Sequence, residues 1–385
     1  MAATLLPMLF QPYQRTYTEH QKRGMSIYEF MDKSAWPIAE FMREHMNAWS
    51  LNFLDDAEFV ARFKSKNRQH HYSASFELLV QALLTSNAFL LDKHPFTGTS
   101  RRLDFLAQHS NQQKYYLECT LSGNSFEDST ERNQKEAIEE IIDDIEYFPY
   151  FINLDYTTLS PRSISKKRLL RFLNELKAKS EGIPNEVLLD NPVLFEDNGW
   201  QIEFSLSRKT NSSIKRSLGF QMNSARTIDT SKPVLSALLD KKPSSYGITS
   251  LPYLICLHSS DLFTRHETYL ETLLGLYGPS PINISHHTQN SFFLVRGKPI
   301  NTSVSAVIIF RNFDPFTLDH STIAIYHNPF AKVPIPINEF PFPEYSFDKI
   351  DDELHLRSHD KDADVFDLLK IDREAYKSNK SKHND

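Results

Sequence analysis

From Tyr72 onward the apolar residues change their spacing repeatedly between the period of a helix and that of a strand, and this alternation restricts the chain to an α/β architecture. Phe76, Leu79, Val80, Leu83 and Leu84 recur at helical spacing, after which Ala88-Phe89-Leu90-Leu91 begins a short strand ended by His94-Pro95. Two more strands are expected over 102–108 and 115–121, joined by the polar hairpin loop His-Ser-Asn-Gln-Gln. Ile138, Ile141, Ile142 and Ile145 form a stripe that predicts a helix over 131–146, and 148–156 reads as a largely buried strand. The resulting order is helix, three strands, helix, strand.

At 385 residues the chain is longer than one small core requires. Its pattern divides into a helical N-terminal addition (1–65), a core (66–180), a second α/β module (181–340) and a C-terminal segment (341–385). The last is acidic and then Lys-rich, and is expected to fray as a tail. In the second module a turn at Glu-Asp-Asn-Gly-Trp joins strands at 193–195 and 201–206. Further strands are expected at 253–257, 292–295, 304–310 and 323–326, with a helix at 266–274.

Several classes of function lose their support. Only ten glycines occur, and none builds a dinucleotide-binding, P-loop or nucleophile-elbow motif. No HExxH is present, and the pairs His70-His71 and His286-His287 read as surface or structural residues. Cys119 and Cys256 sit in apolar runs without metal or disulfide spacing, which fits a reducing compartment. The N-terminus lacks the basic stretch of a secretory signal, and no apolar run approaches the roughly 18 residues of a membrane span. A cytoplasmic protein without membrane contact is therefore expected.

Net charge is −6, yet charge is segregated along the chain. Between 161 and 180 lie Arg162, Lys166, Lys167, Arg168, Arg171, Lys177 and Lys179 against the single acid Glu175, whereas 127–146 holds nine acids against Arg132 and Lys135. Such a basic stretch is either a solvated face or a phosphate-binding surface, with Lys166, Lys167, Arg168 and Arg171 the candidates. Arg208, Lys209, Lys215 and Arg216 form a second, shorter basic stretch.

Three acids lie where the local pattern predicts burial: Glu77 on the first helix, Asp104 in Leu-Asp-Phe-Leu and Glu118 in Tyr-Leu-Glu-Cys-Thr-Leu. Acids rarely occupy apolar runs without a partner. Strand alternation puts Tyr116, Glu118 and Thr120 on one face and Tyr115, Leu117, Cys119 and Leu121 on the other. In a hairpin, Asp104 and Glu118 converge, and Glu77 can be lowered onto them. Mg2+ or Mn2+ is the natural partner of such a set, and the Cys119 carbonyl could supply a further ligand. The competing reading is a pair of edge-exposed acids beside a helix cap at Glu77.

These segments, FELLVQALLTSNAFLLDKHP, RRLDFLAQ and KYYLECTLSG, resemble the PD-(D/E)xK nuclease superfamily, the fold of many restriction endonucleases. More narrowly they resemble bacterial proteins that place a Glu-bearing helix before an R-P-D-F-L strand and an E-x-T strand. SALLDKKPSSYG, LPYLICLHSSD and IYHNPFA extend that likeness to about residue 335.

The resemblance implies a restriction-endonuclease-like mixed sheet flanked by helices at 66–180, and a metal-dependent nuclease that hydrolyses DNA. Defence against foreign DNA, and a homodimer or a defence-system partner protein, follow from the same analogy. Asp104 takes the place of the motif aspartate, with Leu103 in place of its proline, Glu118 that of the second acid, and Glu77 that of the helix glutamate that helps hold metal.

The motif lysine is replaced by Thr120, which offers only a neutral hydroxyl. Lys135, bordering the Ile138 stripe, is the candidate replacement, the other reading being an ordinary solvated lysine. Arg101 and Arg102 flank the aspartate and could touch phosphate.

Two alternatives stand beside the nuclease. One is a catalytically inactive nuclease fold that binds nucleic acid or a partner protein. The other is a second module in which Trp200, Phe204 and Arg208 stack on bases.

Overall fold

The computed structural model describes the chain apart from residues 1–7, 23, 97–101, 110, 124–129, 146–149, 210–215, 220–230, 242, 244–249, 261–263, 277–280, 363 and 383–385, and the side chains of 130–132. Arg101 and Lys215 therefore lie outside the described residues. The chain forms two compact units, one made of Met1–Phe126 with Asp229–Asp385, the other of Glu127–Ile228. The consecutive modules expected at 1–65, 66–180, 181–340 and 341–385 do not match this division. The smaller unit is an insertion within the larger one.

The larger unit opens with helices α1 (Ile27–Lys33), α2 (Pro37–Trp49), α3 (Ala57–Phe63) and α4 (Arg68–Ser86). Asn67 caps α4 by accepting the His70 N–H at 2.9 Å, and every residue from Ala74 to Leu84 is buried. An acid on such a helix cannot escape to solvent by rotation.

Strands β1 (Leu90–Lys93), β2 (Phe105–Gln108) and β3 (Lys114–Ser122) follow as an antiparallel meander, where the sequence places them. After the insertion come α8 (Ser231–Leu239), β7 (Tyr253–Ser259), α9 (His266–Leu274), β8 (Ile282–Asn283), β9 (Leu294–Val295), β10 (Lys298–Pro299), β11 (Ala306–Arg311) and β12 (Thr322–His327). The chain continues with β13 (Glu344–Ile350), β14 (Glu353–His359), α10 (Val365–Leu369) and α11 (Arg373–Ser381). Nine of these strands form one mixed sheet in the order β1-β2-β3-β7-β11-β12-β13-β14-β8.

The centre of the sheet is parallel, β3 beside β7 and β7 beside β11. Such interior strands are covered on both faces, and all seven residues of β7 are buried. One face, carrying Leu117, Cys119, Leu254, Cys256, Ile308 and Phe310, packs against a core built with α2, α4 and α10. The opposite face, carrying Tyr253, Ile255, Leu257, Val307 and Ile309, packs against α8 and α9.

The C-terminal segment is not a frayed tail. Residues 344–359 supply two sheet strands, and the helices behind them bury Phe366, Leu369 and Tyr376, the last with no exposed surface. Its acids and lysines lie around a buried apolar stripe that the overall composition conceals.

The inserted unit contains α5 (Thr130–Asp143), α6 (Lys166–Ser180), α7 (Asn185–Asp190) and a three-stranded antiparallel sheet. The sheet order is β4-β6-β5, from β4 (Tyr150–Thr158), β5 (Val193–Asp197) and β6 (Trp200–Arg208). Ile138, Ile142, Leu169, Leu173, Trp200, Ile202 and Phe204 make its core. Trp200 and Phe204 are fully buried, and the Trp200 indole N–H donates to the Arg162 carbonyl, so this pair cannot stack on bases.

Candidate active site

The β2–β3 hairpin brings two of the three acids together. Continuing the register Phe105↔Leu117 by one residue sets Asp104 opposite Glu118. Each carboxylate accepts the backbone N–H of the other strand: Asp104 Oδ2 from Cys119 at 2.6 Å, and Glu118 Oε2 from Asp104 at 3.3 Å. The backbone N–H of His94 holds the Asp104 carbonyl at 3.1 Å.

Glu118 is 3% exposed, and its Oε1 lies 2.6 Å from the Nζ of Lys241, just beyond the C-terminal end of α8. That helix covers the sheet face onto which Glu118 and Thr120 alternate. A lysine entering there meets Glu118 without occupying a strand position. The Tyr253 hydroxyl, at the start of β7, donates to the Lys241 carbonyl at 2.9 Å and fixes the turn that presents the ammonium.

Asp104 is partly open to solvent but surrounded by protein on most sides. Burial, followed by the charges of Glu118 and Glu77, pushes its carboxyl well above the ordinary aspartate range. Lys241 and the Cys119 N–H act in the opposite direction and do not cancel the effect.

Glu77 is equally buried but is claimed by another cation. Arg62 of α3 grips it with both arms of the guanidinium, Nη1 to Oε1 at 2.6 Å and Nη2 to Oε2 at 2.7 Å, and the Ser73 hydroxyl adds a bond at 3.2 Å. Glu77 therefore stands beside the pair with both its oxygens already bonded, rather than free to bind metal as expected. Among the described residues no three His, Cys, Asp or Glu side chains are gathered as a metal cluster.

The other expected residues fall as follows. Thr120 is half-buried on β3, two residues beyond Glu118. The Cys119 side chain faces the α4 core at the register position of Cys256, and burial raises its thiol far from the thiolate range, which leaves only its backbone for the site.

Lys135 belongs to the inserted unit, with its ammonium 5.0 Å from the centre of the Tyr156 ring. The lysine brought to Glu118 is Lys241 instead. Arg102 is exposed.

On α6, Lys166, Lys167 and Arg171 stand exposed around a shallow hollow with Leu170 and Asn174. Arg168 is spent on the buried Asp197 of its own unit.

Sequence reasoning missed Arg62 and Lys241. A basic residue in the last turn of a helix, or just after it, is the ordinary complement of the helix dipole and gives no signal of its own. Compared with protein-family models, with curated proteins and with solved structures, the chain matches none. No described helix is long and apolar enough to cross a membrane.

Proposed function

We propose that this protein is a metal-dependent nuclease that hydrolyses DNA phosphodiester bonds, with Asp104, Glu118 and Lys241 as its working side chains. The observation that carries the reading is the Lys241 ammonium, 2.6 Å from a buried glutamate that lies opposite a second, half-buried acid. The element order is compatible as well: α4, then β1, β2 and β3, then α8, then β7 parallel to β3 repeat the helix, three strands, helix and strand read from the sequence, with α8 and β7 in the places expected for 131–146 and 148–156.

The donor set fits a hard divalent ion. Two carboxylates with neighbouring backbone oxygen suit Mg2+ or Mn2+, which keep several waters and take substrate phosphate as further ligands. Such an ion, when bound, supplies Lewis acidity and lowers the pKa of a bound water. Asp104 and Glu118 would hold it through their carboxylate oxygens. Lys241 supplies the cationic charge that Thr120 cannot, offsetting negative charge that builds on the phosphate.

The exposed basic face of α6 suits the backbone of the nucleic acid. DNA as the substrate, a cytoplasmic location and a role in defence rest on the resemblance alone.

The test is nicking of supercoiled plasmid by purified protein with Mg2+, Mn2+ or EDTA. Metal-dependent cleavage that disappears in Asp104→Asn and Glu118→Gln supports the reading; equal cleavage in both variants and in EDTA sinks it.

One observation favours a second reading, a catalytically inactive fold that binds nucleic acid: each of the three acids already has a partner within the protein. On that reading Asp104→Asn leaves DNA affinity intact, and no metal produces cleavage.

A further inference from the structure

The Arg62 guanidinium lies against Glu77, while Lys241 pairs with Glu118, and three features keep Arg62 there. Its planar fork engages both Glu77 oxygens, and a guanidinium does not give up its proton, so a metal ion could reach those oxygens only by displacing two charge-assisted hydrogen bonds. Its helix is anchored at both ends of the turn: Asp56 caps α3 by accepting the Phe59 N–H at 3.0 Å, and Phe59 and Phe63 are fully buried on either side of Arg62. The charge balance agrees. Three carboxylates (Glu77, Asp104, Glu118) and two cations (Arg62, Lys241) leave one net negative charge when all are ionised; one divalent ion turns that into a single positive charge, and a second would make it three.

We propose that Arg62 takes the place of a second divalent ion, so that this centre holds a single metal ion on Asp104 and Glu118, with Glu77 excluded as a ligand. This rests on the nuclease reading and specifies its metal content. Arg62 is a positioning residue that occupies both Glu77 oxygens and keeps them from the metal. With one metal ion, Lys241 would be the cation left to meet the phosphate.

The experiment is Mn2+ binding to the full chain, read from the electron paramagnetic resonance signal of free Mn2+ and from titration calorimetry. The wild type is expected to take up about one equivalent, and Glu118→Gln to lose it. Glu77→Gln should keep that equivalent with its affinity changed less than about threefold, since Glu77 is not a ligand. Arg62→Met frees Glu77 and is expected to bind about two equivalents.

Where Arg62→Met fails to fold, the double variant Arg62→Met with Glu77→Gln removes the stranded buried charge and is expected to return to about one equivalent. Two equivalents in the wild type, loss of binding in Glu77→Gln, or a folded Arg62→Met that still binds one, overturns the role of Arg62 and leaves the metal-dependent reading standing. A wild type that binds no Mn2+ overturns both.

Discussion

The burial of Asp104 sets the direction of a pH response. Its carboxyl keeps its proton in the folded chain at pH values where the unfolded chain has lost it, through burial first and the charges of Glu118 and Glu77 second. Between those two ranges the native state binds more protons, so stability falls as pH rises. The slope from this one group is at most about 1.4 kcal/mol per pH unit. Asp104→Asn removes that slope, and its urea midpoint should gain on the wild type as pH rises above the ordinary aspartate range. Parallel pH curves for the two proteins would show that the carboxyl is not held protonated. Metal affinity should rise over the same range, because binding must expel that proton.

At the level of elements, α8 and the strand after it determine where the lysine goes. Tyr253→Phe deletes the hydroxyl that holds the Lys241 carbonyl, at a cost of about 1 kcal/mol in stability. Because the loss falls on the turn carrying the ammonium, cleavage should fall more than that small destabilisation alone explains. A variant with full activity would show that the turn holds Lys241 without it.

Helix α6 allows a separate test. Reversing Lys166, Lys167 and Arg171 to Glu should weaken DNA binding and reduce the salt dependence of affinity by up to about three phosphate contacts, measured by fluorescence anisotropy over a range of salt. Arg168→Ala instead should destabilise the inserted unit, because it leaves the carboxylate of Asp197, whose side chain is 1% exposed, without its cation and held by the Ser165 N–H. An unchanged salt slope in the triple variant would assign α6 to the solvated class.

The hairpin and its acids were legible in the sequence because strand alternation and a polar loop are local signals, and the register follows from them. The crossover helix was not. The stripe Ile138, Ile141 and Ile142 on α5, continued by Ile145 just after it, is a true amphipathic face, but it packs into the core of the inserted unit, while the helix that connects β3 to β7 lies more than a hundred residues after β3 in α8. Periodicity reveals that a face is buried and not against which partner. The same limit applies to Lys135, whose helix packs within the inserted unit.

For the whole molecule, two compact units, the larger with a core on each face of its sheet and the smaller with a core of its own, imply two cooperative units. Trp200→Ala empties a fully buried site in the inserted unit, at a cost of about 3–5 kcal/mol. In differential scanning calorimetry it should lower one transition and leave a second near its wild-type temperature; a single transition shifted as a whole would mean that the units unfold together. The C-terminal residues show why composition misleads at this scale. Acids and lysines dominate 341–385, yet β13 and β14 carry sheet pairing and Tyr376 packs in the core, so removal of this segment should unfold the larger unit rather than trim it.

Lys241, just beyond the C-terminal end of α8, is proposed to replace the lysine that the motif carries at the position of Thr120. The most direct test is single-turnover cleavage of plasmid in Mg2+ by Lys241→Met and Lys135→Met, with both variants shown to be folded by circular dichroism. Lys241→Met should lose about 10²–10³ in rate, the size expected for removing one charge-stabilising group, while Lys135→Met keeps the wild-type rate. Cleavage that survives in Lys241→Met, or that is lost in Lys135→Met instead, would contradict the account.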